Sequence, residues 1–235
     1  MRTSPRTRPP QWVFWVRRVA ALLLLVVLVS LPVRCGKKEA PAPEPSAVPL
    51  AEAPAALGQS QPLEMFIPSV GLRAQFEEGP CRVRADALDP ATLDKACVYT
   101  ASDRPYSLPG PEAKDLVVVA GHTGAGVHGV FDQLFDGSSD HHTVQVGDML
   151  YLRTADSEAA GGKWLSYRAT DLHDPVKEVM ASDVDIWGDG PRPGRLLTIS
   201  CIQPRNVLAD SVRNAVIGWQ FASVLDAPPT ETGAK

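Results

Sequence analysis

The stretch Leu196-Leu197-Thr198-Ile199-Ser200-Cys201, LLTISC, decides how this chain reads. Successive side chains of a strand point to opposite sides, so Leu197, Ile199 and Cys201 share one face while Thr198 and Ser200 share the other. The strand ends on a thiol. The segment 202–212 carries Pro204 and Asn206, does not continue a regular strand, and leads into a second β-like run, Val212 to Phe221. A strand returning in this way brings Arg213 beside Cys201. Far upstream, Leu116 to Ala120, between Asp115 and the flexible Gly121, Gly124 and Gly126, reads as a buried strand, and VVVAGHTG (117–124) places His122 just past its end. Three reactive side chains thus stand where strands hand over to loops, the places where rigid scaffolds present catalytic groups.

Taken singly, each has a plain structural role: a small core hydrophobe, a loop histidine, a salt-bridged surface arginine. Their joint order and spacing point to chemistry instead. A thiol with an ordinary pKa of ~8.5 is mostly protonated at neutral pH, so a neighbouring cation must favour the thiolate before it attacks a carbonyl. Arg213 keeps its charge at any working pH, and its planar fork suits a developing oxyanion. His122 can protonate a leaving amine and deprotonate an incoming one.

This arrangement resembles the sortases, membrane-anchored cysteine transpeptidases of Gram-positive bacteria. Their signature reads Thr-Leu-x-Thr-Cys in one strand, with a His after an earlier strand and an Arg on the strand that follows the Cys loop. In Leu197-Thr198-Ile199-Ser200-Cys201, Leu replaces the first Thr, Thr198 stands where Leu is usual, and Ser200 replaces the second Thr. Such Leu-Thr-x-x-Cys variants are similar to the actinobacterial class E and class F sortases. The resemblance extends over IPSVGL (67–72), VVVAGHTG, VFDQL (130–134) and VGDML (146–150), and so over most of residues 63–225. It implies a mainly β fold, a closed, mostly antiparallel eight-stranded barrel with one or two short helices, one of them near 130–135. It implies His122, Cys201 and Arg213 as catalytic residues, with Ser200 and Thr198 next to the nucleophile as substrate-binding positions. The implied reaction cleaves a Leu-x-x-Thr-Gly-like sorting motif through a thioacyl enzyme. The implied partners are surface proteins bearing a C-terminal sorting signal, and an amine from a cell-wall precursor or a pilin lysine.

The N-terminus suits that address. Arg2, Arg6, Arg8, Arg17 and Arg18 precede the uncharged run Val19 to Val33, and Arg34, Lys37 and Lys38 follow it. At ~1.5 Å per residue the run spans ~22 Å, short of a ~30 Å hydrocarbon core, but flanking arginines and interfacial Trp12 and Trp15 extend its reach. Residues 1–38 are therefore expected to be a cytoplasmic basic segment and an N-in single-pass anchor, with the catalytic domain outside. A cleaved signal peptide and lipidation at Cys35 are the alternatives, the latter poorly served by Pro32, Val33 and Arg34. Residues 39–62, with six prolines among Ala, Glu, Ser and Gln, read as an extended linker. Residues 63–226 read as one catalytic domain and 227–235 as a disordered tail.

Charge divides along the same boundary. Residues 1–62 carry eight Lys or Arg against three acids, net +5, and the rest of the chain carries 15 against 24, net −9. An acidic exported domain argues against nucleic acid as a partner. Asp183, Asp185 and Asp189 lack a calcium-loop pattern. Adjacent His141 and His142 point to opposite strand faces, and His128 and His173 show no ligand spacing, so neither a metal nor a cofactor is expected.

Four cysteines allow three pairings. If Cys201 must stay free and Cys35 lies at the membrane, Cys81 and Cys97 are the natural pair. Asp89 as N-cap and Pro90 at the first helical position suggest a short helix ending near Cys97. Elsewhere, Thr143–Val146, Met149–Thr154, Trp164–Thr170 and Val176–Val179 read as strands, with turns at Gly147-Asp148 and Gly161-Gly162. Strand spacing alone suits a barrel or a sandwich.

Two other functions compete. An L,D-transpeptidase also places His before Cys on a β-rich fold, but surrounds its Cys with Ser-x-Gly-Cys, whereas Ser200 directly precedes Cys201. The other is a non-catalytic exported binding module, in which Cys201 would label slowly with thiol reagents.

Overall fold

Period-two alternation builds most of the chain. The computed structural model describes residues 57–85, 87–100, 106–206 and 208–228. The 1–38 segment lies outside them, as do most of the 39–62 linker and of the 227–235 tail. Among the described residues no helix is long and apolar enough to cross a membrane.

Eight strands close into a barrel: β1 (Pro62–Ile67), β2 (Leu72–Pro80), β5 (Lys95–Tyr99), β6 (Val117–Ala120), β11 (Arg195–Cys201), β12 (Asn214–Leu225), β10 (Trp164–His173) and β9 (Met149–Thr154), which pairs back onto β1. Alternate residues fill its interior, among them Met65, Leu72, Val119, Leu152, Leu196 and Trp219. The Trp219 indole is fully buried there and donates to Thr198 Oγ1 at 3.0 Å. Closure leaves the barrel without a free edge, which a sandwich would not do.

Two pairings are parallel, β2 with β5 and β6 with β11. The second matters most here. VVVA reads as a continuous apolar run because β6 is buried on both faces, and the paired β11 is so too, with Thr198 and Ser200 as its buried polar positions. Inside lies the barrel core. Outside, Leu116, Val118, Leu197, Ile199 and Val216 are covered by Met180 of α2 (Lys177–Met180) and Ile186 of α3 (Val184–Trp187).

Three readings need correction. The segment after Asp89 is not a helix: β4 (Ala87–Asp89) pairs with β3 (Arg82–Arg84), and Lys95–Tyr99 is a barrel strand. The strand period puts Ala96 and Val98 in the barrel core and Cys97 outside, and that burial outweighs the Asp-Pro start signal. Val176–Val179 is not a strand, because α2 begins at Lys177 and leaves Val176 and Val179 exposed while burying Met180. Thr143–Val146 is irregular; the extended pair there is β7 (Phe135–Asp136) with β8 (His141–His142). The expected helical turn near 130–135 is a 3-10 turn over Asp132–Leu134. The remaining helix, α1 (Ala155–Ala159), is capped by Thr154.

Cys81 and Cys97 form a disulfide across a sequence separation of 16, buried against Ala120. Closing a loop of that length restricts the unfolded chain by about 3 kcal/mol. Cys81→Ser is therefore expected to lower the melting temperature by on the order of 6–12 °C, read by differential scanning calorimetry.

A charged clamp crosses the outside of the barrel. Arg195 on β11 reaches over β12 to Asp171 on β10, with Nη1 to Oδ1 at 2.8 Å and Nη2 to Oδ2 at 2.7 Å, and His173 Nε2 lies 2.9 Å from the same carboxylate. The strand crossed is at Gly218, where a Cβ would sit 2.3 Å from Asp171 Oδ2. Gly218→Ala should therefore split the clamp and destabilise the fold by about 2 kcal/mol, measurable in urea titrations. Burial raises the Asp171 pKa, but donation by Arg195, Thr170 and His173 outweighs it and holds the carboxylate well below its usual range. A depressed folded-state pKa stabilises above the unfolded value of ~3.9, and the contribution is lost as pH falls through the folded value. Asp171→Asn should flatten this acid limb of the stability profile below about pH 4.

Candidate active site

Cys201 is the last residue of β11, and the strands on either side of β11 deliver its neighbours. In the parallel ladder Ile199 registers with Ala120 of β6, and Gly121 N donates to the Ile199 carbonyl at 3.1 Å. His122 therefore leaves β6 at the level where Cys201 ends β11. On the other side Cys201 registers with Asn214 of β12, and Ile202 N donates to the Arg213 carbonyl at 2.9 Å. His122, Cys201 and Arg213 thus sit at one end of three adjacent strands.

The thiol is free and half-buried. It shares the outer face of β11 with Leu197 and Ile199. Thr198 and Ser200 occupy the inner face, fully buried and 3% exposed. Neither can meet a peptide at the thiol, so their expected substrate-binding role is corrected: Thr198 anchors Trp219 and Ser200 lines the barrel wall.

His122 is held from two directions. Its Nε2 lies 2.9 Å from the Pro90 carbonyl and 3.8 Å from Asp89 Oδ1. A carbonyl only accepts, so this nitrogen carries a proton, and Nδ1 is left to exchange one. Asp89 ends β4 and Pro90 comes next, at the foot of the β3–β4 hairpin, which the Cys81–Cys97 disulfide roots to β5 beside Ala120. The glycine-rich loop after His122 is pinned rather than flexible. Phe131 N donates to the His122 carbonyl at 3.0 Å, and Asp132 accepts from Gly124 N and Gly129 N, both at 2.8 Å. A Cβ on Gly121 would fall 2.6 Å from the Phe131 ring, so glycine serves close packing there.

Arg213 is committed to two carboxylates. Nη1 donates to Asp174 Oδ2 at 2.6 Å and Nη2 to Asp140 Oδ1. These use two of five guanidinium N–H groups and fix its plane. The cation that touches sulfur is another: Lys177 Nζ donates to Cys201 Sγ at 3.3 Å. Sequence gave no signal for it, since Lys177 lies 24 residues from Cys201 in a segment read as a strand.

A groove of about 450 Å³ opens over the thiol, lined by Thr123, Asp132, Phe135, Ser138, Gln203 and Arg205. Its floor is tied together: Thr123 Oγ1 donates to the Cys201 carbonyl at 2.8 Å and Gln203 Nε2 to Thr123 Oγ1 at 3.0 Å. Arg205 donates to the Ser138 carbonyl across it. Among the described residues no group of three His, Cys, Asp or Glu side chains is placed to hold a metal ion.

No protein-family model matches the chain, and no curated protein matches its sequence. Among solved structures the chain is similar to sortases. Sortase A from Listeria monocytogenes aligns at 17% identity and TM-score 0.46, over 72% of this chain and 90% of that one. Sortase A from Corynebacterium diphtheriae aligns at 16% and 0.48, over 75% and 66%. Sortase C-1 from Actinomyces oris aligns at 21% and 0.45, over 68% and 72%.

Proposed function

We propose that this chain is a sortase-type cysteine transpeptidase. The observation that carries the reading is the convergence of a free Cys201, His122 and Arg213 at one end of three neighbouring strands, with Cys201 lining an open groove. The motif resemblance around LLTISC and VVVAGHTG supports the same reading.

In the proposed cycle the Cys201 thiolate attacks the carbonyl carbon of the threonine in a Leu-x-x-Thr-Gly-like motif. An S–C bond forms and the carbonyl electrons move to oxygen, where N–H groups of Arg213 not used by Asp140 and Asp174 receive them. The C–N bond then breaks, and a proton held on Nδ1 of His122 passes to the departing amine while Nε2 keeps its own toward Pro90. The thioacyl enzyme is resolved by a second amine, which loses a proton to His122 as it attacks, and Cys201 leaves as thiolate. The pinned loop and the Pro90 contact keep His122 in place through both transfers.

The acyl donors are surface proteins with a C-terminal sorting signal, and the acceptor is a cell-wall precursor or pilin amine. Residues 63–226 act outside the membrane, tethered by the stretch that precedes β1 to an N-in anchor within residues 1–38. The test is turnover of Leu-Pro-x-Thr-Gly and Leu-Ala-x-Thr-Gly peptide libraries by the full chain, with and without a glycine amine. Cleavage between Thr and Gly, with transfer to the added amine, is expected. Failure to cleave any member, in protein whose Cys201 alkylates readily, would overturn the proposal.

A further inference from the structure

The geometry points to Lys177 as a catalytic residue of this site, one that holds the Cys201 sulfur as a thiolate. The inference deepens the transpeptidase reading and rests on it for the reaction, but its physical basis is local. Among the described residues, Lys177 Nζ is the hydrogen-bond donor to Cys201 Sγ, at 3.3 Å. The two partners assigned to the thiol from sequence point elsewhere: Arg213 to Asp140 and Asp174, and His122 Nε2 to Pro90 and Asp89.

The lysine is aimed by its backbone. Lys177 N donates to the Val212 carbonyl at 3.0 Å, Val176 bridges Arg213, and Asn214 N donates to the Pro175 carbonyl at 3.0 Å. One turn later Met180 is buried on the outer face of β11, and the Trp187 indole donates to its carbonyl at 2.7 Å. Helix α2 is therefore stitched to β12 at its start and to the outer core at its end. The flexible stem of Lys177 has a fixed origin beside the thiol.

The division of labour follows from the two cations' chemistry. An ammonium is a compact point charge with three donors, suited to a single sulfur atom, whereas the guanidinium fork suits an oxyanion that appears later. When the thiol ionises, its proton passes to solvent and the negative charge stays on sulfur opposite the Lys177 ammonium, which keeps its own three protons. When sulfur bonds to the acyl carbon it becomes neutral. When the second amine expels it, the charge returns to sulfur and to Lys177. The lysine thus assists both attack and departure.

The test is the alkylation rate of Cys201 by iodoacetamide at pH 7 in the full-length protein, followed by peptide mass mapping. Lys177→Met keeps the stem and removes the charge, and Lys177→Arg keeps the charge. Lys177→Met is expected to slow labelling about tenfold or more, because the thiolate is the reacting form, and Lys177→Arg to stay near the wild-type rate. Thermal melts equal to wild type check that both variants fold; if Lys177→Met does not, Lys177→Gln takes its place. Labelling of the charge-removed variant at or above the wild-type rate overturns the assignment. Labelling needs no peptide substrate, so the two proposals fail separately. A wild type that cleaves no peptide while Lys177→Met labels slowly overturns the transpeptidase reading and supports Lys177. A wild type that transpeptidates while Lys177→Met labels and turns over unchanged does the reverse.

Discussion

Cys201→Ala is expected to abolish transpeptidation while leaving the barrel intact. The sulfur is the atom that becomes bonded to the acyl group, and neither hydroxyl of its own strand can replace it: Ser200 faces the opposite side of β11 and Thr198 is fully buried. Turnover should fall by at least ~10³-fold, to what binding and orientation alone provide. The fold should tolerate the change, because the thiol lies half-exposed at the strand terminus and outside the barrel core. Parallel measurement of peptide release and of the melting curve separates the two effects. Cleavage at the wild-type rate by folded Cys201→Ala would remove the nucleophile assignment.

Arg213→Ala should lower kcat by ~10²-fold or more with little change in KM, because its donors meet charge that develops only during reaction. The structure makes this a clean test. Asp140 and Asp174, the carboxylates that Arg213 would abandon, are 61% and 56% exposed, so their loss of a partner should cost ~0–1 kcal/mol of stability. Arg213→Lys should recover little, since an ammonium cannot keep both carboxylates and still present a planar fork. Near-wild-type kcat in Arg213→Ala would move the oxyanion role to a cation that lines the groove with Cys201, Arg205.

Much of the fold was legible because alternation is a local signal. Met149–Thr154 and Trp164–Thr170 are strands as read, and Leu197, Ile199 and Cys201 share the outer face of β11. Barrel closure was not legible from strand spacing, since it depends on β1 pairing with β9 across nearly ninety residues. Local signals also misled where tertiary packing opposed them. Asp89-Pro90 is good helix-start chemistry, yet the barrel claims Ala96 and Val98 as strand residues. Val176 and Val179 look β-forming, but Met180 is what must be buried, and a helical turn does that. The site followed the same rule. His122, Cys201 and Arg213 were found because each ends or begins a recognisable strand, whereas Lys177, Asp140 and Asp174 reach them through space from loops and a one-turn helix. Gly121 and Gly124 beside His122 read as flexible; instead Gly121 packs on Phe131 and Gly124 N donates to Asp132.

The central claim is that Cys201 becomes acylated by a sorting-type peptide. Intact-mass spectrometry of the full chain mixed with Leu-Pro-x-Thr-Gly and Leu-Ala-x-Thr-Gly peptides, quenched in acid and followed by peptide mapping, tests it most directly. The predicted result is an added mass equal to the peptide up to its threonine, located on Cys201, absent in Cys201→Ala and discharged by an added amine. An unmodified Cys201 with every peptide, or an adduct that maps to any other residue, would contradict it.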